Sequence, residues 1–210
     1  MSIFLFLLVK LFFLRKGFCY IIEDVKIRVG ITGKPKIGKS TIIKEVIRRL
    51  KEEGMAVGGM LTSDIRESGR RVGFSIKDIN SSVMGILAHV HQGGPKVGNY
   101  GVNLIDLDSI GANSIKDAVT SPDIAVIFVD EIGPMELKSM RFTAAVEEAI
   151  KSDKHLIVSV HQRSEHELVR RIKRDFEIIV VTEENRDEIP MILSEKVFGF
   201  DESAQERVDF

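Results

Sequence analysis

The chain has 210 residues, 44% of them hydrophobic and 29% charged, a composition typical of one globular domain. Its 30 Lys and Arg nearly balance its 31 Asp and Glu, and it has two Tyr and no Trp, which argues against a nucleic-acid platform. No DNA partner is expected, and an RNA partner is left open without a supporting feature. The single cysteine, Cys19, excludes an internal disulfide, so we expect a cytoplasmic protein. We also expect a monomer.

Residues 3–14 form an almost wholly apolar run, which Arg15 and Lys16 follow. A transmembrane helix needs about 20 apolar residues, and a secretory signal carries its positive charge before the apolar run. Three interpretations of residues 1–24 stay open: a weak membrane anchor, a packing helix, or upstream sequence outside the working protein, with translation beginning near Val25. We predict one domain over residues 25–210, and no membrane partner unless this apolar extension is an anchor.

Strand and helix patterns alternate from Lys26 onward. Apolar, β-branched runs predict strands over residues 26–32, 56–62, 72–76, 124–129, 155–160 and 176–181. Helical spacing of apolar residues predicts helices over residues 40–53, 108–119, 142–151 and 165–174, and a last one starting near Ile189. Gly69 predicts a hairpin, and the Gly-rich residues 81–100 are predicted to be irregular. This order predicts a three-layer α/β domain whose mainly parallel sheet is flanked by helices.

Residues 33–40 match the phosphate-loop motif GxxxxGK[ST], with a predicted strand before them and a predicted helix after them. Backbone N–H groups of such a loop surround the phosphates at a helix N-terminus, where the helix dipole favours negative charge. Lys39 is predicted to reach the β- and γ-phosphates, and the Ser40 hydroxyl to bind Mg²⁺. The predicted nucleotide-binding residues here are Gly33, Lys34, Pro35, Lys36, Ile37, Gly38, Lys39, Ser40 and Thr41.

An acidic pair, Asp130-Glu131, follows a buried apolar run. Parallel sheets place their ligands at the carboxyl ends of strands, so this pair is expected near the phosphate loop. We predict that Asp130 binds Mg²⁺ beside Ser40, and that Glu131 is the general base that polarises the attacking water. The alternative is that the two acids only cap the next helix. The nucleotide-binding prediction extends to Val126, Ile127, Phe128, Val129, Asp130, Glu131, Ile132 and Gly133, and the predicted catalytic residues are Lys39 and Glu131.

Several sequence blocks resemble the small nucleoside-triphosphatases of the THEP1 type, a family found in archaea, some thermophilic bacteria and animals. Beside the phosphate loop, these blocks lie at residues 59–74, 97–102 and 182–186, and the most distinctive is D-E-I-G-P-M-E-L at 130–137. The resemblance implies a RecA-like or kinase-like P-loop NTPase fold. It also implies Mg²⁺-dependent hydrolysis of ATP, GTP and other nucleoside triphosphates to the diphosphate and phosphate, with broad base specificity.

The phosphate loop departs from the family pattern at two positions. The family loop usually reads G-x-P-G-x-G-K-T, so Lys36 replaces a Gly and Ser40 replaces a Thr. Ser and Thr offer Mg²⁺ the same hydroxyl ligand. Lys36 puts the loop geometry and the rate of turnover in question, but not the fold.

Five further residues are weaker candidates. Arg66, Arg70 and Arg71 lie at the predicted hairpin, where one of them could stabilise charge on the γ-phosphate, or all could belong to a solvated turn. Asn185 and Arg186 follow the last predicted strand, where we predict contact with the base or ribose; the alternative is an ordinary helix cap.

Two other functions are compatible with the same motifs. The first is phosphoryl transfer by a small-molecule or nucleotide kinase, with Glu131 deprotonating an acceptor hydroxyl. The second is a nucleotide-gated switch whose slow hydrolysis regulates RNA or protein binding. Hydrolysis is the leading hypothesis because Glu131 favours activation of water.

Overall fold

A nine-stranded sheet organises residues 26–199, the part of the chain that this computed structural model describes. The strands are β1 (Arg28–Thr32), β2 (Val57–Glu67), β3 (Arg70–Asp78), β4 (Met84–His89), β5 (Lys96–Val97), β6 (Tyr100–Val102), β7 (Val126–Ile132), β8 (His155–Val160) and β9 (Glu177–Val180). Their order is β5-β6-β4-β3-β2-β7-β8-β1-β9. The apolar extension at residues 1–24, Val25 and the chain after Gly199 lie outside the described residues.

Five strands form the parallel half of the sheet, in the order β2-β7-β8-β1-β9. Parallel strands that are covered on both faces are apolar along their length, and residues 126–129 of β7 are fully buried. The carboxyl ends of all five strands lie at the same edge. Because only β8 separates β1 from β7, the residues that follow β1 and those that end β7 are roughly 10 Å apart.

The other half of the sheet is antiparallel and begins with a long hairpin. Strand β2 pairs with β7 as far as Met60 and then continues beside β3 alone. The turn residues Ser68 (φ 48°) and Gly69 (φ 80°) are both left-handed, as a two-residue type I′ turn requires. The hairpin predicted at Gly69 is therefore confirmed.

The prediction of an irregular segment over residues 81–100 is wrong, because β4 and β5 lie within it. Gly85 lies within β4, and a glycine in a short strand is easily taken as a loop residue in the sequence. A Cβ at Gly85 would lie 2.6 Å from the Asp106 carboxylate, which itself accepts the Ile86 N–H at 2.8 Å. A glycine that reads as a loop signal is in fact required by close packing between the strand and the segment after β6.

Helices cover both faces of the sheet. They are α1 (Lys39–Glu52), α2 (Leu104–Asp106), a π-helix (Leu107–Ala112), α3 (Asn113–Thr120), a 3₁₀ turn (Glu136–Lys138), α4 (Met140–Lys151), α5 (Glu167–Asp175) and α6 (Ile189–Val197). One hydrophobic cluster joins α1 and α6 to one face, and the other joins the π-helix, α3, α4 and α5 to the opposite face. None of the helices within residues 26–199 is long and apolar enough to cross a membrane.

The predicted α/β fold with flanking helices is thus confirmed, and the sheet is mixed, with parallel and antiparallel halves. The helix predicted over residues 108–119 is interrupted, since its first turns are π-helical and α-helical geometry begins at Asn113. Apolar spacing does not distinguish the two geometries over so short a segment, so this break could not be predicted.

Candidate active site

The phosphate loop joins the buried end of β1 to the N-terminus of α1. Gly33 has φ 151°, and a Cβ there would lie 2.9 Å from the Val181 carbonyl oxygen. Gly38 has φ 117° and is the residue that precedes α1. Only glycine adopts such angles without strain, so both positions keep the backbone free to surround an anion at the helix terminus.

Lys39 and Ser40 open α1 on the inner side of this loop. Lys39 is only 9% exposed, and its Nζ donates to the Gly33 carbonyl oxygen at 3.4 Å. Lys34, Pro35 and Thr41 are exposed. The lysine that the motif requires is thus already folded back across the loop, whereas the side chains of Lys34 and Thr41 are solvated.

Lys36 has a backbone explanation. Its φ is 67°, in the left-handed region that glycine favours, and its side chain is exposed. The glycine of the family pattern therefore marks a backbone requirement, which Lys36 meets with some strain. In this chain the loop therefore accommodates a lysine at position 36 in a left-handed conformation.

Asp130 is the most deeply buried acid of the site. It is 1% exposed, Ser159 Oγ on β8 donates to its Oδ1 at 2.6 Å, and its Oδ2 has no hydrogen-bonding partner among the described residues. Burial raises the pKa of Asp130, and the hydroxyls of Ser159 and Ser40 and the charges of Lys44 and Lys39 oppose that rise. Ser159 has no sequence signal of its own, since it reads as part of a buried strand.

A magnesium ion fits the chemistry of this position. The free Oδ2 of Asp130 is a hard anionic oxygen in a buried place, and the Ser40 hydroxyl is close enough to lower the pKa of Asp130. Mg²⁺ prefers oxygen ligands and is commonly held by one or two protein groups together with phosphate oxygens. An unpartnered carboxylate oxygen beside a hydroxyl matches that ligand set.

Glu131 is half-buried at the end of β7, and the peptide bond that joins it to Asp130 is cis. Burial raises the pKa of Glu131; the charge of Asp130 raises it further, while Lys39 and His161 oppose the rise. A carboxyl group with a raised pKa near a lysine of the phosphate loop has the character of a general base.

The apolar residues predicted to bind nucleotide lie in the core instead. Val126 and Phe128 pack on the side of α1, and Ile127, Val129 and Ile132 pack on the opposite face, all at 0% exposure. These side chains position Asp130 and are not accessible to a ligand. Gly133 is also buried, at the turn that follows β7.

A cleft of about 460 Å³ adjoins the phosphate loop. It is lined by Gly33, Lys34, Ile37, Gln162 and residues 180–184. Asn185 closes the turn along its wall: Oδ1 accepts the Thr182 N–H at 2.8 Å, and Nδ2 donates to the Val180 carbonyl at 2.9 Å.

Arg186 is exposed, 3.8 Å from the Asp187 carboxylate, and does not line this cleft. For both Asn185 and Arg186, contact with the base or ribose stays a prediction. Gln162, which does line the cleft, was not found from the sequence, where it falls between a strand and a helix without a motif.

Two of the three hairpin arginines, Arg66 and Arg71, have partners within the hairpin. Arg66 and Arg71 both pair with Asp64, at 2.8 and 3.3 Å, and the Arg71 guanidinium lies 4.7 Å from the centre of the Phe74 ring. Arg70 is exposed near the tip. A role for any of the three at the γ-phosphate stays a hypothesis.

The fold and the site define a P-loop nucleotide-binding α/β protein with an acidic pair opposite the loop. A family profile described as NTPase matches residues 28–194. The nucleoside-triphosphatase THEP1 of Methanosarcina acetivorans is 46% identical over 165 residues, which are 78% of this chain and 93% of the relative. That of Methanocaldococcus jannaschii is 41% identical over 162 residues, 77% of this chain and 92% of the relative. The chain belongs to the THEP1 family of nucleoside-triphosphatases.

Solved structures agree with this assignment. The crystal structure of THEP1 from Aquifex aeolicus is similar with a TM-score of 0.71 and 29% identity, over 82% of this chain and 99% of that one. The solution structure of a human cancer-related nucleoside triphosphatase gives a TM-score of 0.70 and 28% identity, over 83% of this chain and 99% of that one. The resemblance seen in the sequence is thereby confirmed at the level of the whole described fold.

Proposed function

We propose that the chain hydrolyses nucleoside triphosphates to the diphosphate and phosphate, with Mg²⁺ and with little preference among bases. One observation supports this most strongly: the Asp130 carboxylate, whose Oδ2 has no partner within residues 26–199, and the carboxyl group of Glu131 both lie within the electrostatic reach of Lys39. The relatives' names add support, because they are nucleoside-triphosphatases.

Each group at the site has a separate task in this proposal. The loop N–H groups and Lys39 bind the β- and γ-phosphates. Glu131 accepts a proton from the attacking water, which then displaces the diphosphate from the γ-phosphorus. The raised pKa of Glu131 suits a general base, because a base is most effective when its pKa lies near the pH at which the enzyme works.

Ser40 and Asp130 are the residues that would hold Mg²⁺. When bound, the ion neutralises charge on the phosphate oxygens. Ser159 keeps Oδ1 of Asp130 occupied, so that Oδ2 is the oxygen left for the metal.

Broad base specificity is supported by the lining of the cleft beside the loop. A site rejects the wrong base strongly only when buried polar groups would be left unpaired by it. Here the polar side chains of Lys34, Gln162, Glu183 and Glu184 are exposed and that of Thr182 is half-buried, while Val180, at 51% exposure, offers apolar surface. Bases can therefore pack against this surface without having their hydrogen-bonding edges read by fully buried polar side chains.

The test is release of phosphate from ATP, GTP, CTP and UTP, with and without Mg²⁺ and with no added acceptor. We expect release from all four with Mg²⁺ and only background without it. Lys39→Ala should abolish release, whereas Lys151→Ala, at an exposed position on α4, should not change it. Release that requires an added hydroxyl compound would indicate a kinase, and release that requires RNA or a protein would indicate a switch.

A further inference from the structure

A buried glutamate, Glu136, lies close to Glu131, the general base that we propose. It begins the 3₁₀ turn after β7 and is only 5% exposed. Its Oε2 accepts the backbone N–H of Gly133 at 3.1 Å. No role follows for it from the phosphate-loop motif, so its burial needs a separate reason.

Gly133 brings the two glutamates together. A Cβ built on Gly133 would lie 3.1 Å from Oε2 of Glu136 and 3.8 Å from both Cγ and Cδ of Glu131. The side chains of Glu131 and Glu136 therefore border the same point above the turn. A side chain at Gly133 would press against Glu136 and would lie in ordinary van der Waals contact with Glu131.

The electrostatic state of Glu136 is compatible with such proximity. Burial raises its pKa to about 8, and the charges of Glu131 and Asp130 raise it too, while hydrogen bonds from the N–H groups of Glu136 and Gly133 oppose the rise. At neutral pH, Glu136 is therefore mostly protonated. It then adds no negative charge beside Glu131.

We propose that Glu136 is a positioning residue for Glu131: its buried carboxyl group anchors the turn at Gly133 and so orients the Glu131 carboxylate toward the phosphate loop. This inference rests on the proposed role of Glu131 as the general base. Glu136 does not contact substrate; it acts through the turn and through Glu131. A displacement of about 1 Å at a reacting group costs about 10²-fold in rate, which sets the scale of the expected effect.

A double-mutant cycle tests this assignment, with kcat and KM for Mg²⁺-ATP measured on the full chain. Glu136→Leu removes the acceptor for the Gly133 N–H, and we expect kcat to fall by about 10- to 100-fold with little change in KM. Glu136→Gln keeps a neutral acceptor and donor of similar shape, and it should retain most of the wild-type kcat. In a Glu131→Gln background, Glu136→Leu should cause no further loss, because the group it positions is already gone.

The control is Asp108→Leu, which removes another partly buried carboxyl group, one that accepts the Ser139 hydroxyl. Any loss it causes should be equal in both backgrounds, as for a purely structural change. If Glu136→Leu does not fold, Gly133→Ala replaces it in the cycle, since the added methyl group occupies the point between the two carboxyl groups.

Two results would overturn the inference while leaving the proposed function intact: equal losses from Glu136→Leu in both backgrounds, or a loss in Glu136→Gln as large as in Glu136→Leu. If Glu131→Gln alone kept the wild-type kcat, the base assignment would fail first, and the positioning role with it. An inactive wild-type chain would instead contradict hydrolysis itself.

Discussion

The Ser159 hydroxyl on β8 donates a 2.6 Å hydrogen bond to one oxygen of Asp130 at the end of β7, and the other oxygen has no partner among the described residues. A buried, half-satisfied carboxylate destabilises a folded chain unless a ligand completes it. Asp130 therefore lowers the stability of the ligand-free chain and, in the proposed role, strengthens the binding of the metal.

Replacing Asp130 with Asn separates these two effects. Asn keeps an acceptor for Ser159 but removes the buried charge, so without ligand the variant should be more stable at pH 7 by about 1–3 kcal/mol. Addition of Mg²⁺ and a non-hydrolysable ATP analogue should then raise the thermal midpoint of the wild type far more than that of Asp130→Asn. The exposed Asp117→Asn is the control and should behave as the wild type. Equal ligand-induced shifts in Asp130→Asn and the wild type would argue against Asp130 as a metal ligand.

Replacing Lys36 with Gly should stabilise the loop. A left-handed backbone costs a non-glycine residue about 1–2 kcal/mol, so Lys36→Gly should raise the free energy of unfolding by about 1 kcal/mol after the entropy of glycine in the unfolded chain is counted. Lys36→Val should lower it, because β-branched residues tolerate this region poorly. Urea denaturation measures both. Lys34, whose φ is not positive, gives the control: Lys34→Gly should bring no gain, and a gain equal to that of Lys36→Gly would contradict the backbone explanation.

Glu136 should make stability fall as pH rises. Its pKa is about 8 in the folded chain and near 4.5 in the unfolded chain, so the folded state binds the extra proton between these values. The stabilisation is fully present below pH 4.5 and is lost as pH rises to about 8. Glu136→Gln lacks this titration. Its free energy of unfolding relative to the wild type should therefore increase from pH 6 to pH 8.5, and a constant difference over that range would contradict a buried, protonated Glu136.

The sequence indicates the candidate residues of the site more readily than the residues that support them. Lys39, Ser40 and Asp130 stand out as candidates because phosphate and Mg²⁺ binding require particular residue types at fixed spacing. Ser159 and Gln162 do not, since their positions depend on which strands become neighbours. Glu136 was visible within the block D-E-I-G-P-M-E-L, but only the folded turn shows that its carboxyl group lies against Gly133.

The fold followed the same division. The buried parallel strands β7 and β8 were predictable because apolar, β-branched runs have few other interpretations. The antiparallel strands β4 to β6 were not, since glycines such as Gly85 that permit close packing look the same in sequence as glycines in a loop. Lys36 shows the converse case, a residue whose left-handed backbone no single-residue preference indicates.

Activation of water by Glu131 at a Mg²⁺-nucleoside triphosphate site can be measured by single-turnover release of phosphate from Mg²⁺-ATP. The wild type and Glu131→Gln are compared, with nucleotide affinity measured on the same samples. We expect Glu131→Gln to bind Mg²⁺-ATP as the wild type does and to lose about 10²- to 10⁴-fold in rate. Wild-type release by Glu131→Gln, or loss of nucleotide binding with the rate constant intact, would contradict this role of Glu131.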